Sequence, residues 1–147
     1  MIIDYGGNTM SIYRSEKKVY DQKKRKLIPL WKFDTNTLTV ACYNIDNGTI
    51  EEKTYTSDYV RYHVNFSSGK YPDRLRRLVN EGRIIEYLDD IEENVQLAIE
   101  KQVEKWKKED KEYITLVNKG NIKEAAMLEK CFVYMAREII FNCMVYV

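Results

Sequence analysis

Reactive side chains are scarce in this chain of 147 residues. His63 is its only histidine, which removes His-rich zinc or iron sites, His–His acid/base pairs and HExxH motifs together. Nucleophilic chemistry is left with one Cys–His couple, using Cys42, Cys131 or Cys143. Cys131 and Cys143 fall on an apolar helical pattern, so inert burial is expected for both. His63, next to Arg61 on the polar side of an alternating segment, is expected to be solvated. Two carboxylate pairs, Asp89 with Glu93 and Glu86 with Asp90, stand four residues apart and would suit a divalent cation or an acid/base pair. No matching set stands on another element, and Lys101, Lys105 and Lys108 relieve the charge, so a solvated helix face is expected. Gly6-Gly7 is followed by neither GxxxxGK[ST] nor GxGxxG. The sequence therefore predicts no catalytic residue, no metal and no cofactor, and a protein that is not an enzyme.

The charges that could meet a partner lie elsewhere. Lys17-Lys18 and Lys23-Lys24-Arg25-Lys26 are flanked by Tyr13, Tyr20, Trp31 and Phe33. Lysine and arginine release counterions from a phosphate backbone while aromatic faces accept unpaired bases, so this pattern suits nucleic acid or a nucleoprotein. Arg74, Arg76, Arg77 and Arg83 make a second cluster whose guanidinium forks match phosphate geometry. The predicted binding residues are Lys23, Lys24, Arg25, Lys26, Tyr59, Arg61, Arg74, Arg76 and Arg77, with the two clusters at opposite ends of a β segment.

Composition restrains the classes open to such a surface. With 24 Lys plus Arg against 23 Asp plus Glu, the formal charge is +1, which excludes both an acidic nucleic-acid mimic and a strongly basic coat. A 44% hydrophobic fraction with 2 Pro and 6 Gly allows a buried core. Twelve tyrosines against 4 phenylalanines suit a contact surface, although A/T-rich codons produce the same excess. The odd cysteine count and the lack of a leader pattern over residues 1–14 predict reduced thiols in the cytoplasm. The apolar stretch near residue 140 is interrupted by Arg137, Glu138 and Asn142, so no membrane span is expected.

The elements that must position these groups read as α+β. Runs 37–43 and 49–56 flank Asn47-Gly48, predicting a hairpin with a type I′ turn. Residues 59–66 alternate, with Val60, Tyr62, Val64 and Phe66 opposite Tyr59, Arg61, His63 and Asn65, which predicts a half-buried strand. Residues 10–13 and 27–33 are shorter candidates, the second demoted by Pro29. A β-rich segment 1–68 is thus expected before a helical segment 69–147, the two forming one compact unit. In the helical segment, Pro72 starts a short basic helix ending near Gly82. A long amphipathic helix runs from Ile84, with 107–112 able to bend it and Gly120 ending it. A last helix carries Ala125, Leu128, Phe132, Met135, Ile139, Cys143 and Tyr146 as its stripe. The long helices form an antiparallel hairpin whose outer flanks need the short helix, the sheet or a second copy of the chain, so a homodimer stays open.

Two stretches of the helical half carry a resemblance. Gly82-Arg83-Ile84-Ile85-Glu86-Tyr87-Leu88-Asp89-Asp90-Ile91 looks like the Ser-Gly-Lys-Leu-x-x-His-Leu-x-x-Ile-Asp segment of TnpV-type transposon-encoded proteins, and Glu138-Ile139-Ile140-Phe141-Asn142-Cys143-Met144-Val145-Tyr146-Val147 is similar to their ending, with Cys143 in place of an acidic residue. The resemblance covers about half the chain and implies a transposon or phage of a Gram-positive bacterium, with no catalytic residue to transfer. In general character the chain also resembles phage and transposon inhibitors such as anti-CRISPR proteins. The expected function is a non-enzymatic binding or inhibitor protein of a mobile element that blocks a host nucleoprotein such as a CRISPR nuclease. The alternative is a DNA-binding accessory protein of transposition. The expected partner is a protein or protein–nucleic-acid complex, with direct nucleic-acid contact left open.

Overall fold

The computed structural model describes residues 2–3, 9–10 and 12–147. Its fold is α+β, antiparallel strands followed by helices. β1 (Ile2–Ile3) pairs with β2 (Thr9–Met10). A four-stranded antiparallel sheet is built from β3 (Ile12–Arg14), β6 (Trp31–Asp34), β7 (Thr39–Asn44) and β8 (Thr49–Thr54), in the order β3-β6-β7-β8. β4 (Lys18–Asp21) and β5 (Lys26–Pro29) form a separate two-stranded ribbon. That ribbon is the far end of one long hairpin, bent where Ser15 interrupts the ladder. The Ser15 hydroxyl accepts from the Trp31 amide (3.0 Å) and donates to the Lys17 carbonyl (2.8 Å), and Leu30 N–H then restarts the pairing on Lys17 (3.0 Å).

Three successive hairpins share one loop design. Each closes over four residues, 22–25, 35–38 and 45–48. Each is preceded by an Asp or Asn (Asp21, Asp34, Asn44) whose side-chain oxygen accepts from the backbone N–H two residues on, at 2.9, 2.9 and 3.0 Å. Each ends on a residue with positive φ: Arg25 (53°), Leu38 (56°) and Gly48 (68°). The expected type I′ turn at Asn47-Gly48 is therefore corrected to a four-residue loop, in which only Gly48 has positive φ. Asn44 supplies the hydrogen bonds that a tighter turn would have made within its backbone.

The predicted strand over 59–66 is a helix, α1 (Asp58–Lys70), so the change from strand to helix falls at residues 55–57 rather than at 68. Ser57 caps it, accepting from the Val60 amide. Its buried set, Val60, His63, Val64, Ser67 and Ser68, keeps the 3–4 spacing of a helix. α2 (Pro72–Asn80) and α3 (Ile84–Glu109) follow. α3 stops where Asp110 turns extended and caps α4 (Lys111–Asn118) by accepting from Tyr113 N–H. α5 (Ile122–Ile140) runs into one π-helical turn, Phe141–Val145.

Two apolar clusters result. Tyr13, Phe33, Leu38 and Val40 from the sheet side meet Val60 and Val64 of α1, Leu75, Leu78 and Val79 of α2, and Ile84 and Leu88 of α3. Farther along, Val95, Ile99 and Val103 of α3 meet Phe132 and Ala136 of α5, with Phe141 and Val145 from the π turn. The π turn shifts the stripe of the last helix. Its buried positions step from Ala136 to Phe141 and Val145, leaving Tyr146 exposed, while Met135 and Ile139 already lie off the buried row of α5 before the turn. Cys131 and Cys143 are exposed as well, which corrects the expectation that both are buried: Cys131 lies beside the stripe, and the π turn rotates Cys143 out of it.

Candidate functional site

Neighbouring residues of a strand face opposite ways, and in this sheet the two faces have different chemistry. Tyr13, Phe33 and Val40, cross-strand neighbours, point at the helices. Arg14, Lys32, Ala41, Tyr43, Ile50 and Glu52 point to the other face, and the bent β4–β5 ribbon brings Lys24, Lys26, Leu27, Ile28 and Pro29 against them. Between ribbon and sheet lies a groove of about 330 Å³, at the lower end of the ~300–1,000 Å³ usual for ligand sites. Four cations (Arg14, Lys24, Lys26, Lys32) and one carboxylate (Glu52) line it. Among the described residues none of the four cations enters an ion pair. Unpaired like charges held around a concave, partly apolar wall are the arrangement that attracts an anion.

Of the predicted site residues, Lys24 and Lys26 line this groove, while Lys23 and Arg25 occupy the adjoining exposed loop. The arginine cluster of α2 is on the helix side of the sheet, so the two clusters do not converge. Much of that cluster is spent inside the fold. Arg74 donates to Ser67 Oγ (2.6 Å) and the Val147 carbonyl (2.8 Å) and lies over the Tyr71 ring; Arg76 pairs with Asp73. Arg77 remains exposed. Arg61 donates to the Asn36 carbonyl (3.3 Å), and Tyr59 donates to Gln96 (2.6 Å) beneath Arg137. Trp31 and Phe33, expected as base-stacking partners of the lysines, face the helices instead. Arg14 and Lys32 are the groove residues that sequence reasoning missed. The available signal was Lys32 between Trp31 and Phe33, which marks the face opposite the core.

His63 is 1% exposed and lies in the helical core, not on a solvated strand face. Its Nδ1 is 2.8 Å from the Val145 carbonyl, which can only accept, so Nδ1 carries the proton; Nε2 then accepts from the Tyr87 hydroxyl at 2.7 Å. Burial holds its pKa below the ordinary 6.5, with the Arg74 charge acting in the same direction and the Val145 bond opposing. Sealed and neutral, this ring pins α1 to the π turn. Asp89 of α3 accepts from Lys53 of β8 (2.6 Å) and from the Tyr55 hydroxyl (2.7 Å). Burial works to raise its pKa, but these two donors outweigh burial and hold the carboxyl below its usual value. The described residues contain no group of three or more His, Cys, Asp or Glu able to hold a metal ion, and no helix among them is long and apolar enough to cross a membrane. Gly6 and Gly7 lie outside the described residues. No family model, curated protein or solved structure matches the chain.

Proposed function

We propose that this protein is a non-enzymatic binding protein that acts by seating the basic groove between ribbon and sheet on the anionic surface of a nucleoprotein. The observation that carries this reading is the set of four cations, Arg14, Lys24, Lys26 and Lys32, gathered from two parts of a bent hairpin and without an ion pair among the described residues. A merely solubilising charge pattern would be dispersed, as on the outer face of α3, where Glu and Lys alternate. The helical resemblance supports a setting in a phage or transposon, where blocking a host nucleoprotein such as a guide-loaded nuclease is the role such a surface would serve. Occupying an interface needs no reactive group, in keeping with a sealed His63.

The test is capture of the purified protein on an immobilised guide-loaded nuclease and on bare duplex DNA, for wild type and for K24E/K26E, whose substituted side chains are both exposed. Capture by the nucleoprotein that is lost in the variant supports the reading. Capture that survives the charge reversal, or no capture of the nucleoprotein, refutes it. Steeply salt-dependent capture on bare duplex alone would transfer the assignment to a DNA-binding accessory protein.

A further inference from the structure

The groove is not uniformly charged. Leu27, Ile28, Pro29, Tyr43 and Ile50 line it between the cations, and Leu27 (63% exposed) and Ile50 (37%) are among the exposed large apolar residues of the chain. A duplex offers phosphates on its outside and keeps its bases stacked, so it would neutralise the cations and leave this apolar wall wet. A ligand that alternates phosphates with flat, unpaired bases satisfies both surfaces at once: phosphates on Arg14, Lys24, Lys26 and Lys32, a base against the exposed Leu27 and Ile50. We infer that the groove binds single-stranded nucleic acid. This rests on the groove being the contact surface proposed above, and it names what that surface reads on the nucleoprotein: an exposed single strand.

Fluorescence anisotropy with a labelled 12-nucleotide oligothymidylate tests it, against a duplex of equal length, thymidine monophosphate as competitor, and an acidic leucine-containing peptide. Four phosphate contacts at ~0.7 each give a slope of log K against log salt of about −2.8 for the single strand. K24E/K26E should weaken binding at least ~10-fold and flatten that slope by about 1.4, two contacts' worth. Leu27→Ser should weaken binding severalfold at unchanged slope, because it removes contact with a base and not with a phosphate. Melting curves that match wild type show that both variants fold; Lys26→Gln alone, expected to flatten the slope by about 0.7, is the gentler substitute. Equal or tighter binding of the duplex, competition by the mononucleotide at the oligomer's own concentration, or preference for the acidic peptide overturns the inference. If the oligomer fails to bind while nucleoprotein capture still depends on Lys24 and Lys26, the single-strand assignment falls and the binding reading stands; if capture ignores the charge reversal, the binding reading itself falls.

Discussion

Gly82→Ala should be far more damaging than Gly120→Ala, although both glycines do the same local job. Each ends a helix in a Schellman motif. Arg83 N–H reaches the Leu78 carbonyl (2.9 Å) behind Gly82, and Asn121 N–H reaches the Leu116 carbonyl (2.9 Å) behind Gly120. Their φ angles, 70° and 76°, are nearly equal. An alanine in that conformation costs ~1–2 kcal/mol, offset by ~0.4–1 kcal/mol from the stiffer unfolded chain. Gly120→Ala should therefore cost roughly 0–1.5 kcal/mol. The difference lies in what the new methyl meets. Nothing stands within 4 Å at Gly120, whereas at Gly82 it would lie 2.8 Å from Trp31 Nε1 and 3.0 Å from Cε2. Trp31 is packed against the core and cannot swing away freely, so an overpacking term of ~1–3 kcal/mol is added. Urea unfolding measures both variants: at a slope of ~2 kcal/mol/M, the collision alone should separate their midpoints by about 0.5–1.5 M. Trp31→Leu removes the obstacle, and Gly82→Ala in that background should then cost about what Gly120→Ala does. Variants within ~0.3 kcal/mol of each other in the wild-type background would refute the packing assigned to Trp31.

Burial first, and the Arg74 charge with it, disfavour the protonated His63 ring in the native state, so the unfolded chain binds more protons. Stability should be complete above the ordinary 6.5 and fall as pH drops through that value towards the lower folded pKa; His63→Phe should flatten denaturant midpoints between about pH 5 and 7. Cys131 and Cys143 should react quickly with an aromatic disulfide reagent and Cys42 slowly, since burial first and the Glu51 charge second raise the Cys42 thiol pKa; three equal rates would contradict its packing. Arg25 holds a positive φ in an exposed loop, so Arg25→Gly should stabilise by up to ~1 kcal/mol, which at ~2 kcal/mol/M raises the urea midpoint by up to about 0.5 M. Tyr55→Phe, which removes one donor from Asp89, should cost ~0.5–1.5 kcal/mol by thermal melting.

Where hydropathy and packing coincide, the architecture was legible in the sequence. The α3 stripe from Ile84 through Val103 and the Pro72 helix appear as expected, because their buried residues are apolar and Pro and Gly punctuate them. α1 was hidden because three of its five buried residues are His63, Ser67 and Ser68. Polar residues in the core erase the 3.6-residue hydropathy period and leave the accidental alternation of Val60, Tyr62, Val64 and Phe66; the Ser57-Asp58 cap was the local sign. The ribbon was missed because Val19 is the lone aliphatic residue of β4, too little to register as alternation. The groove was only half visible, since Arg14 and Lys32 meet Lys24 and Lys26 through a bend at Ser15, a relation of geometry that spacing along the chain does not encode.

The loop at 22–25 closes through the Asp21 side chain and is exposed throughout, so it takes its shape without help from its neighbours, whereas the loop at 35–38 buries Thr35 and Leu38. The tip at 22–25 can accordingly exchange residues without disturbing the strands beneath, while Asp21 stays constant. A lineage pressed to follow a changing target would find its raw material there, with affinity evolving on the rim and stability left to the scaffold.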